Sequence, residues 1–305
     1  MRWTLLFLFL TACTVTANVV REFSDPTEVY FCPQEDCKGI YLQQLHSAQK
    51  IHCAVYDIDI PEVIDELNNK SADVVLDHES SLHTKNAVLD SKYTQMHNKF
   101  CILDDKTVLT GSMNPTKRDT SINYNNLVIL HSKQIAQVYE TEFQELFGGT
   151  FSGGDRTAKT HFYLNDEDVQ IYFCPEDWCV NKVLDTLSTA QESIYFMTFS
   201  FTHDKIGDML IDKHNAGLTV EGIMEKSQNN AFSEYKRLEG ILPVQWEETG
   251  ANLHHKVFII DRRIVVTGSM NPSVNGDTKN DENVVIIESP RLAESFLHAY
   301  EMIVK

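Results

Sequence analysis

The sequence has few positive charges and no stretch of low complexity, and each of these features excludes a class of protein. Its 26 lysine and arginine residues face 44 aspartate and glutamate residues, for a net charge of -18 and an isoelectric point near 5.0. A chain this acidic does not wrap nucleic acid with a long basic surface, although a local basic cleft is compatible with it. The absence of low-complexity tracts argues against disorder. The 305 residues are enough for two compact domains.

The sequence begins with Arg2 and an apolar run over residues 5–10 that is too short to span a bilayer. This pattern predicts a signal peptide over residues 1–17 and an exported, extracytoplasmic protein. Two cleavage sites are open. Residues 10–13 resemble a lipobox, in which Cys13 would carry a lipid that tethers the protein to a membrane. Residues 15–17 are an ordinary cleavage sequence, and a cytosolic chain with an apolar start is the remaining interpretation.

The seven cysteines divide into Cys13, two close pairs and two separate residues. The close pairs are Cys32 with Cys37 and Cys174 with Cys179. In an exported protein we expect each close pair to form a local disulfide, and a zinc site built from all four thiolates is the alternative. Cys53 and Cys101 lie in apolar, strand-like runs. They are predicted to be buried thiols, with pairing across adjacent strands as the alternative.

The chain is an internal duplication. Residues 29–37, 97–104 and 110–115 return in the same order as residues 171–179, 254–261 and 267–272. The Gly- and Ser-rich segment from residue 148 separates the copies. The sequence therefore predicts a first repeat over residues 24–147, a linker over 148–168 and a second repeat over 169–305. Two such repeats should pack about a pseudo-twofold axis.

Within each repeat, strand and helix patterns alternate, which predicts an α/β fold with a mixed sheet. In the second repeat the predicted strands are residues 193–200, 219–224, 257–260 and 264–267, and the predicted helices are 205–216 and 290–304. The first repeat ends in a predicted helix from about residue 132 to 147.

Each repeat contains His-x-Lys-x4-Asp-x6-Gly-Ser-x-Asn, beginning at His97 and at His254. A fixed position matches by chance about one time in twenty, so two complete copies in register are not an accident. The motif resembles the signature of the phospholipase D superfamily. Residues 279–286 and 290–296 make the second repeat similar to the bacterial endonuclease branch and to mitochondrial cardiolipin hydrolase. The resemblance implies two phospholipase D-like α-β-α sandwich halves in one chain.

The chemistry of the motif residues supports the same interpretation. A neutral histidine can attack phosphorus, and a second histidine can protonate the leaving oxygen. The predicted catalytic residues are His97, Lys99, His254, Lys256 and Glu282. The predicted phosphate-binding residues are Ser112, Asn114, Ser269 and Asn271, and the predicted supporting residues are Asp104, Asp261 and Asn125. The lysines and histidines supply positive charge, so no metal or cofactor is expected.

The two repeats differ at one position of the predicted site. Glu282 matches the carboxylate with which the family orients a histidine, whereas the first repeat has Asn125 at the equivalent position. In two-motif relatives this carboxylate supports the histidine of the opposite half, which implies that Glu282 orients His97. The interpretation assigns His97 as nucleophile and His254 as general acid. A weakened site is the alternative interpretation of Asn125.

Residues near the motifs have less specific roles. The side chain of His255 should point away from those of its neighbours along a strand. Four aromatic residues of the second repeat are predicted to be core, with a base-stacking platform as the alternative: Tyr195, Phe196, Phe199 and Phe201.

The sequence predicts a monomeric phosphodiesterase that works through a phosphohistidine. Its substrate is nucleic acid or phospholipid, and the endonuclease-like second repeat places nucleic acid slightly ahead. A phospholipase D that acts on headgroups and a catalytically weak envelope binding protein are the alternatives.

Overall fold

The computed structural model describes residues 21–82 and 84–304. The predicted signal peptide over residues 1–17 and the proposed lipidation residue Cys13 lie outside these residues. Within the described part of the chain, no helix is both long enough and apolar enough to cross a membrane.

The first half alternates strands and helices, as the sequence predicts. Its strands are β1 (Arg21–Glu22), β2 (Glu28–Cys32), β3 (Ile51–Val55), β4 (Asp73–Leu76), β5 (Ala87–Leu89), β6 (Gln95–Met96), β7 (Lys99–Leu103), β8 (Thr107–Gly111) and β9 (Asn125–His131). Its helices are α1 (Cys37–Ser47), α2 (Pro61–Asn69), α3 (Lys117–Ser121) and α4 (Lys133–Phe147).

The second half repeats this order and adds a hairpin at its start. Its strands are β10 (His161–Leu164), β11 (Glu167–Cys174), β12 (Ser193–Thr198), β13 (Thr219–Met224), β14 (Val244–Trp246), β15 (Lys256–Ile260), β16 (Ile264–Gly268) and β17 (Asn280–Glu288). Its helices are α5 (Cys179–Ser188), α6 (Asp204–Asn215), α7 (Tyr235–Leu238), α8 (Val274–Thr278) and α9 (Pro290–Ile303), with a 3-10 turn at Lys226–Gln228. The predicted elements are found within about two residues of these bounds, as expected for element ends.

The two sheets have the same topology. The first has the strand order β2-β9-β8-β7-β3-β4-β5, and the second contains β11-β17-β16-β15-β12-β13-β14. In both, the central strands are antiparallel and the strands beyond β3 and β12 are parallel. The duplicated α/β architecture predicted from the sequence is therefore confirmed.

The core consists of three apolar layers. An outer layer lies between each sheet and its own helices, and a shared layer lies between the two sheets. Helices α4 and α9 fill the shared layer, because each presents apolar residues every three or four positions on one face. The hydroxyls of Ser132 and Ser289 accept hydrogen bonds from backbone N–H groups of the first turns, so the two helices begin at equivalent positions.

Reciprocal contacts between the halves support a pseudo-twofold relation. The N–H of His97 donates to the carbonyl of Asp281 at 2.9 Å, and the N–H of His254 donates to the carbonyl of Tyr124 at 2.9 Å. Deeper in the interface, Thr267 donates to Asn126 at 3.0 Å, and Asn283 donates to Thr110 at 2.9 Å. Both motifs are consequently held at the contact between the halves.

The predicted linker over residues 148–168 is irregular only in its first part. Strand β10 and the start of β11 occupy its end, and β10 also pairs with β1. Phe162 and Leu164 are buried while Tyr163 is half-buried, which is the two-residue alternation of a strand. A left-handed Asn165 makes the tight hairpin turn.

The six cysteines of the described chain form three disulfides. Cys32–Cys37 and Cys174–Cys179 are the predicted local pairs, so the zinc alternative is wrong because these sulfurs are not free thiolates. Cys53 and Cys101 are also bonded to each other, so the prediction of two buried thiols is wrong and the alternative of pairing across adjacent strands is confirmed. They lie directly opposite each other on β3 and β7, a pairing that only the sheet register decides. Three disulfides indicate an oxidising, extracytoplasmic compartment.

Candidate active site

The strands β7 and β15 place the two histidine-lysine pairs. Each strand begins at the motif lysine, and the histidine comes two residues earlier. Because side chains alternate along an extended chain, histidine and lysine share one face. The ammonium of Lys99 donates to the carbonyl of His97 at 2.7 Å, and that of Lys256 donates to the carbonyl of His254 at 2.6 Å.

Each motif histidine is bound by a side chain of the opposite half. Nδ1 of His97 lies 2.8 Å from both carboxylate oxygens of Glu282. Nδ1 of His254 donates to the amide oxygen of Asn125 at 2.9 Å. An oxygen acceptor at Nδ1 leaves Nε2 of each ring available to a substrate. The two rings are therefore oriented in the same way by non-equivalent groups.

A glycine precedes the motif serine because the chain turns sharply where β8 and β16 end. Gly111 and Gly268 have φ values of 121° and 130°. A Cβ atom on Gly111 would lie 2.5 Å from the carbonyl oxygen of Asn126, and one on Gly268 would lie 2.4 Å from that of Asn283. Only glycine permits this approach of strand β8 or β16 to its neighbour.

The family model described as "Cardiolipin synthase, PLD-like domain" matches residues 62–147 and 183–304, which make up more than half of the chain. The chain belongs to this family. It is a hydrolase of the phospholipase D superfamily that acts on phosphodiester bonds, which confirms the predicted class of enzyme.

Individual relatives of this PLD-like protein agree with that assignment. The phospholipase D of Rickettsia bellii is 33% identical over 136 residues, which are 44% of this chain and 68% of that protein. The mitochondrial cardiolipin hydrolase of Chlamydomonas reinhardtii is 31% identical over 124 residues, 40% of this chain and 56% of that protein. The phosphatidylserine synthase of Haemophilus influenzae has a similar fold, with a TM-score of 0.67 at 13% identity over 90% of this chain and 86% of that one.

Burial lowers the pKa values of the four basic groups in this PLD-like site, and repulsion between these groups adds to the shift for His97, His254 and Lys256. Burial lowers the pKa of Lys99 to about 8, and it lowers that of Lys256 well below its usual range, with the charge of Lys99 adding to the effect. Burial and the lysine charges also hold the pKa values of His97 and His254 well below that of a free imidazole. The site thus brings four basic groups together and is suited to an anionic phosphate, whose charge would raise all four pKa values and favour the protonated forms.

The predicted phosphate-binding residues differ in how free their polar groups are. The hydroxyl of Ser112 donates to Asn125 at 3.0 Å, and the amide of Asn114 donates to Asp119 at 2.8 Å. Ser269 is fully buried, and its hydroxyl accepts from the backbone N–H of Asn283 at 2.9 Å. All three polar groups are thus engaged within the protein. Asn271 is half-buried and its amide oxygen accepts from the backbone of Ser200 at 3.4 Å.

The supporting aspartates lie at the far ends of β7 and β15. Asp104 accepts backbone hydrogen bonds from Gln49 and Lys50 at 2.8 and 2.9 Å. Asp261 accepts three such bonds, from residues 191 to 193. Each carboxylate joins a hairpin turn to the preceding loop, which is consistent with the supporting role expected of it.

Two aromatic rings cover the histidines. Tyr56 meets His97 edge-on with ring centroids 4.9 Å apart, and Phe199 meets His254 in the same way at 4.9 Å. Phe196 and Phe201 are in the core as predicted, but the prediction for Phe199 is wrong because the chain leaves β12 one residue earlier. His255 points away as expected, and its Nδ1 lies 3.0 Å from the amide of Asn126.

Sequence reasoning missed Asp119, which lies in α3. One of its carboxylate oxygens is 3.6 Å from Nδ1 of His254. The second repeat has no carboxylate at the equivalent position, so comparison of the repeats gave no signal for it.

One side-chain group in the described chain has metal-compatible spacing: Asp77, His78 and Asp90 offer ligand atoms within 4.8 Å of one another. Asp90 accepts backbone hydrogen bonds from His78 and Met96 at 2.7 and 2.8 Å. These bonds give Asp90 a role in shaping the loop after β4.

Proposed function

We propose that the chain hydrolyses phosphodiesters through a covalent phosphohistidine, with His97 as nucleophile and His254 as general acid and base. The observation that carries the proposal is the reciprocal pairing of the two motif histidines with side chains of the opposite half. This pairing sets Nε2 of both rings free on the same buried site.

In the first step, Nε2 of His97 attacks phosphorus and the bond from phosphorus to the leaving oxygen breaks. The proton on Nε2 of His254 moves to that oxygen, so the alcohol leaves neutral. In the second step, His254 takes a proton from water and the water oxygen attacks phosphorus. The nitrogen-phosphorus bond breaks, and both histidines return to their starting states.

The two lysines stabilise the negative charge of the phosphoryl group in both steps. Lys99 and Lys256 are buried, and their interaction with an anion is stronger there than in water. Asn271 is the remaining candidate donor from the motif.

We infer that the substrate is a phospholipid, which reverses the slight preference for nucleic acid drawn from the sequence. Exposed apolar residues lie on the segments that follow the two motifs, with Ile122 after α3 at 47% exposure and Val274 opening α8 at 54%. Tyr93 is 85% exposed beside a depression of about 300 Å³ that two lysines and two carboxylates also line. Exposed apolar side chains on segments close to the motifs suit a lipid surface, and the names of the Rickettsia and Chlamydomonas relatives point the same way.

The test measures hydrolysis of bis(p-nitrophenyl) phosphate in chelator by the wild type, His97→Asn and His254→Asn. We expect turnover by the wild type and its loss in both variants. A wild type that regained activity only with added metal would contradict the mechanism.

Plasmid DNA, RNA and vesicles of cardiolipin or phosphatidylcholine then decide the substrate class. Cleavage of DNA or RNA alone would overturn the lipid assignment, and an inert wild type that binds anionic vesicles would favour the envelope binding protein.

A further inference from the structure

The first half lacks a carboxylate where the second half has Glu282. Glu282 binds His97 directly, whereas the equivalent Asn125 offers His254 a neutral amide oxygen. An amide fixes the tautomer of the ring as a carboxylate does, but it adds no charge to stabilise an imidazolium. By this comparison alone, His254 would be the less basic of the two histidines.

A carboxylate approaches His254 from a different element of the first half. Asp119 is 5% exposed, and its Oδ2 lies 3.6 Å from Nδ1 of His254. The same oxygen accepts from the backbone N–H of Asn114 at 3.0 Å and from its amide at 2.8 Å. Asn123 donates to the other oxygen at 2.8 Å. Three hydrogen bonds thus hold Asp119 beside the ring.

The second half is built so that no side chain can occupy the position of Asp119. Its equivalent is Gly276, where a Cβ atom would lie 2.4 Å from the carbonyl oxygen of Asn271. The equivalent asparagines serve the carboxylate of their own half, because Asn123 donates to Asp119 and Asn280 donates to Glu282 at 3.3 Å. Each half therefore has one asparagine-supported carboxylate beside a histidine, supplied from different positions.

We propose that Asp119 is a positioning residue for His254, and that it supplies from helix α3 the negative charge that Asn125 lacks. This proposal rests on the proposed function, since it assigns a role in the proton transfer by His254. Asn125 holds the tautomer, and Asp119 stabilises the protonated ring from beside it. The first half then has the carboxylate that its histidine partner needs, at position 119 instead of position 125. Asn125 therefore does not signal a weakened active site.

The charges around the two rings agree with this division. Burial, Lys256, Lys99 and His97 lower the pKa of His254, and Asp119 acts against them. Burial alone would raise the pKa of Asp119, but the charge of His254 and the hydrogen bonds from Asn123 and Asn114 lower it overall. Burial raises the pKa of Glu282 to about 7. Near neutral pH, Asp119 is therefore the more fully ionised of the two carboxylates.

The test compares two substrates whose leaving groups differ in their need for a proton. Bis(p-nitrophenyl) phosphate releases a stable phenolate, whereas diphenyl phosphate releases a more basic one that needs general acid catalysis. We expect Asp119→Asn to lower kcat about 100-fold on diphenyl phosphate and less than about tenfold on bis(p-nitrophenyl) phosphate. Equal losses on both substrates would overturn the proposal, because a structural defect does not distinguish leaving groups.

Two further variants distinguish the loss of the Asp119 charge from a folding defect. Asp119→Ser keeps an acceptor for Asn114 and places no amide N–H against the donor of Asn123, so it should show the same substrate ratio. In Asp119→Asn with Asn125→Glu, the carboxylate moves to the position that Glu282 has in the other half. We expect this double variant to recover the wild-type ratio, and a ratio that stays at the Asp119→Asn value would contradict the proposal.

The matched control is Asp277→Asn on helix α8, which occupies the place of α3 in the second half. Asp277 accepts from the backbone of Val180 at 3.0 Å and should leave the substrate ratio unchanged. If the wild type hydrolyses both substrates and Asp119→Asn loses them equally, only the role of Asp119 fails. If the wild type forms no phosphohistidine, the proposed function fails.

Discussion

The two halves build the strand pair beneath the active site in different ways. Two residues beyond each motif lysine, the first half has Cys101 opposite Cys53, and the second has Phe258 opposite Phe196. The cysteines form a disulfide, whereas the phenylalanine rings lie with centroids 6.2 Å apart. The same backbone pairing is therefore supported by a covalent bond in one half and by aromatic packing in the other.

The strand next to each pair, β4 or β13, carries a residue whose size fits the side chains of that pair. Val74 pairs with Cys53 on β4, and Gly222 pairs with Phe196 on β13. A Cβ atom on Gly222 would lie 2.1 Å from the ring of Phe196, so the larger side chain requires the glycine. The two halves of this duplicated fold keep the same backbone pairing, but they distribute side-chain volume and charge differently over neighbouring positions.

The largest expected effect comes from replacing either motif histidine, and it should differ between the two. His97→Asn and His254→Asn should each lower turnover by about 10³-fold or more, but they should fail at different steps. With bis(p-nitrophenyl) phosphate, His254→Asn should release one equivalent of p-nitrophenolate and retain a phosphoryl adduct on His97. Rapid-quench kinetics and intact mass spectrometry measure both. An adduct on His254 in the His97→Asn variant would reverse the assignment.

The next effect concerns how much the strand pair of the second half contributes to the stability of the protein. Phe196→Ala should lower the free energy of unfolding by about 3–5 kcal/mol, because it leaves a cavity against Gly222 that neighbours cannot fill. Urea denaturation measures the loss. Phe199→Ala is the control, since this ring is only half-buried and should cost less. Equal losses would mean that the Phe196 ring does not support the strand pair.

The corresponding change in the first half is Cys53→Ala with Cys101→Ala. Removing this disulfide should cost about 2–4 kcal/mol, because the cross-link closes a long loop in the unfolded chain. The folded double variant should keep its kcat, since the hydrogen bonds that hold the motif histidines and lysines involve neither cysteine. A loss of kcat without a loss of stability would show that the disulfide acts on the site instead.

The last effect depends on pH and concerns Asp281, whose counterpart in the first half is the uncharged Tyr124. Burial raises the pKa of Asp281 from 3.8 to about 8, with the charge of Glu176 adding to the shift. The folded state therefore binds the extra proton, and this stabilising contribution is lost as the pH rises from about 4 to about 8. Asp281→Asn should lack that loss, so its advantage over the wild type in thermal unfolding should grow between pH 5 and pH 9. A constant difference would mean that Asp281 does not titrate in this range.

Much of the fold and of the site follows from local patterns. Hydrophobic periodicity predicts helices such as α9 and strands such as β13, because burial of one face is decided over a few residues. The repeated spacing identifies both motifs, and it equates Asn125 with Glu282. The sequence by itself therefore determined the duplicated α/β architecture, the family and the four central histidine and lysine residues.

Only the tertiary structure decided which groups complete the site. Asp119 and His254 are far apart in the sequence, and their 3.6 Å approach depends on how the two halves pack. The bond between Cys53 and Cys101 depends on the register of β3 against β7, and the position of Phe199 beside His254 depends on where β12 ends. Such contacts join residues whose local sequences carry no information about each other, because they are fixed by packing rather than by periodicity.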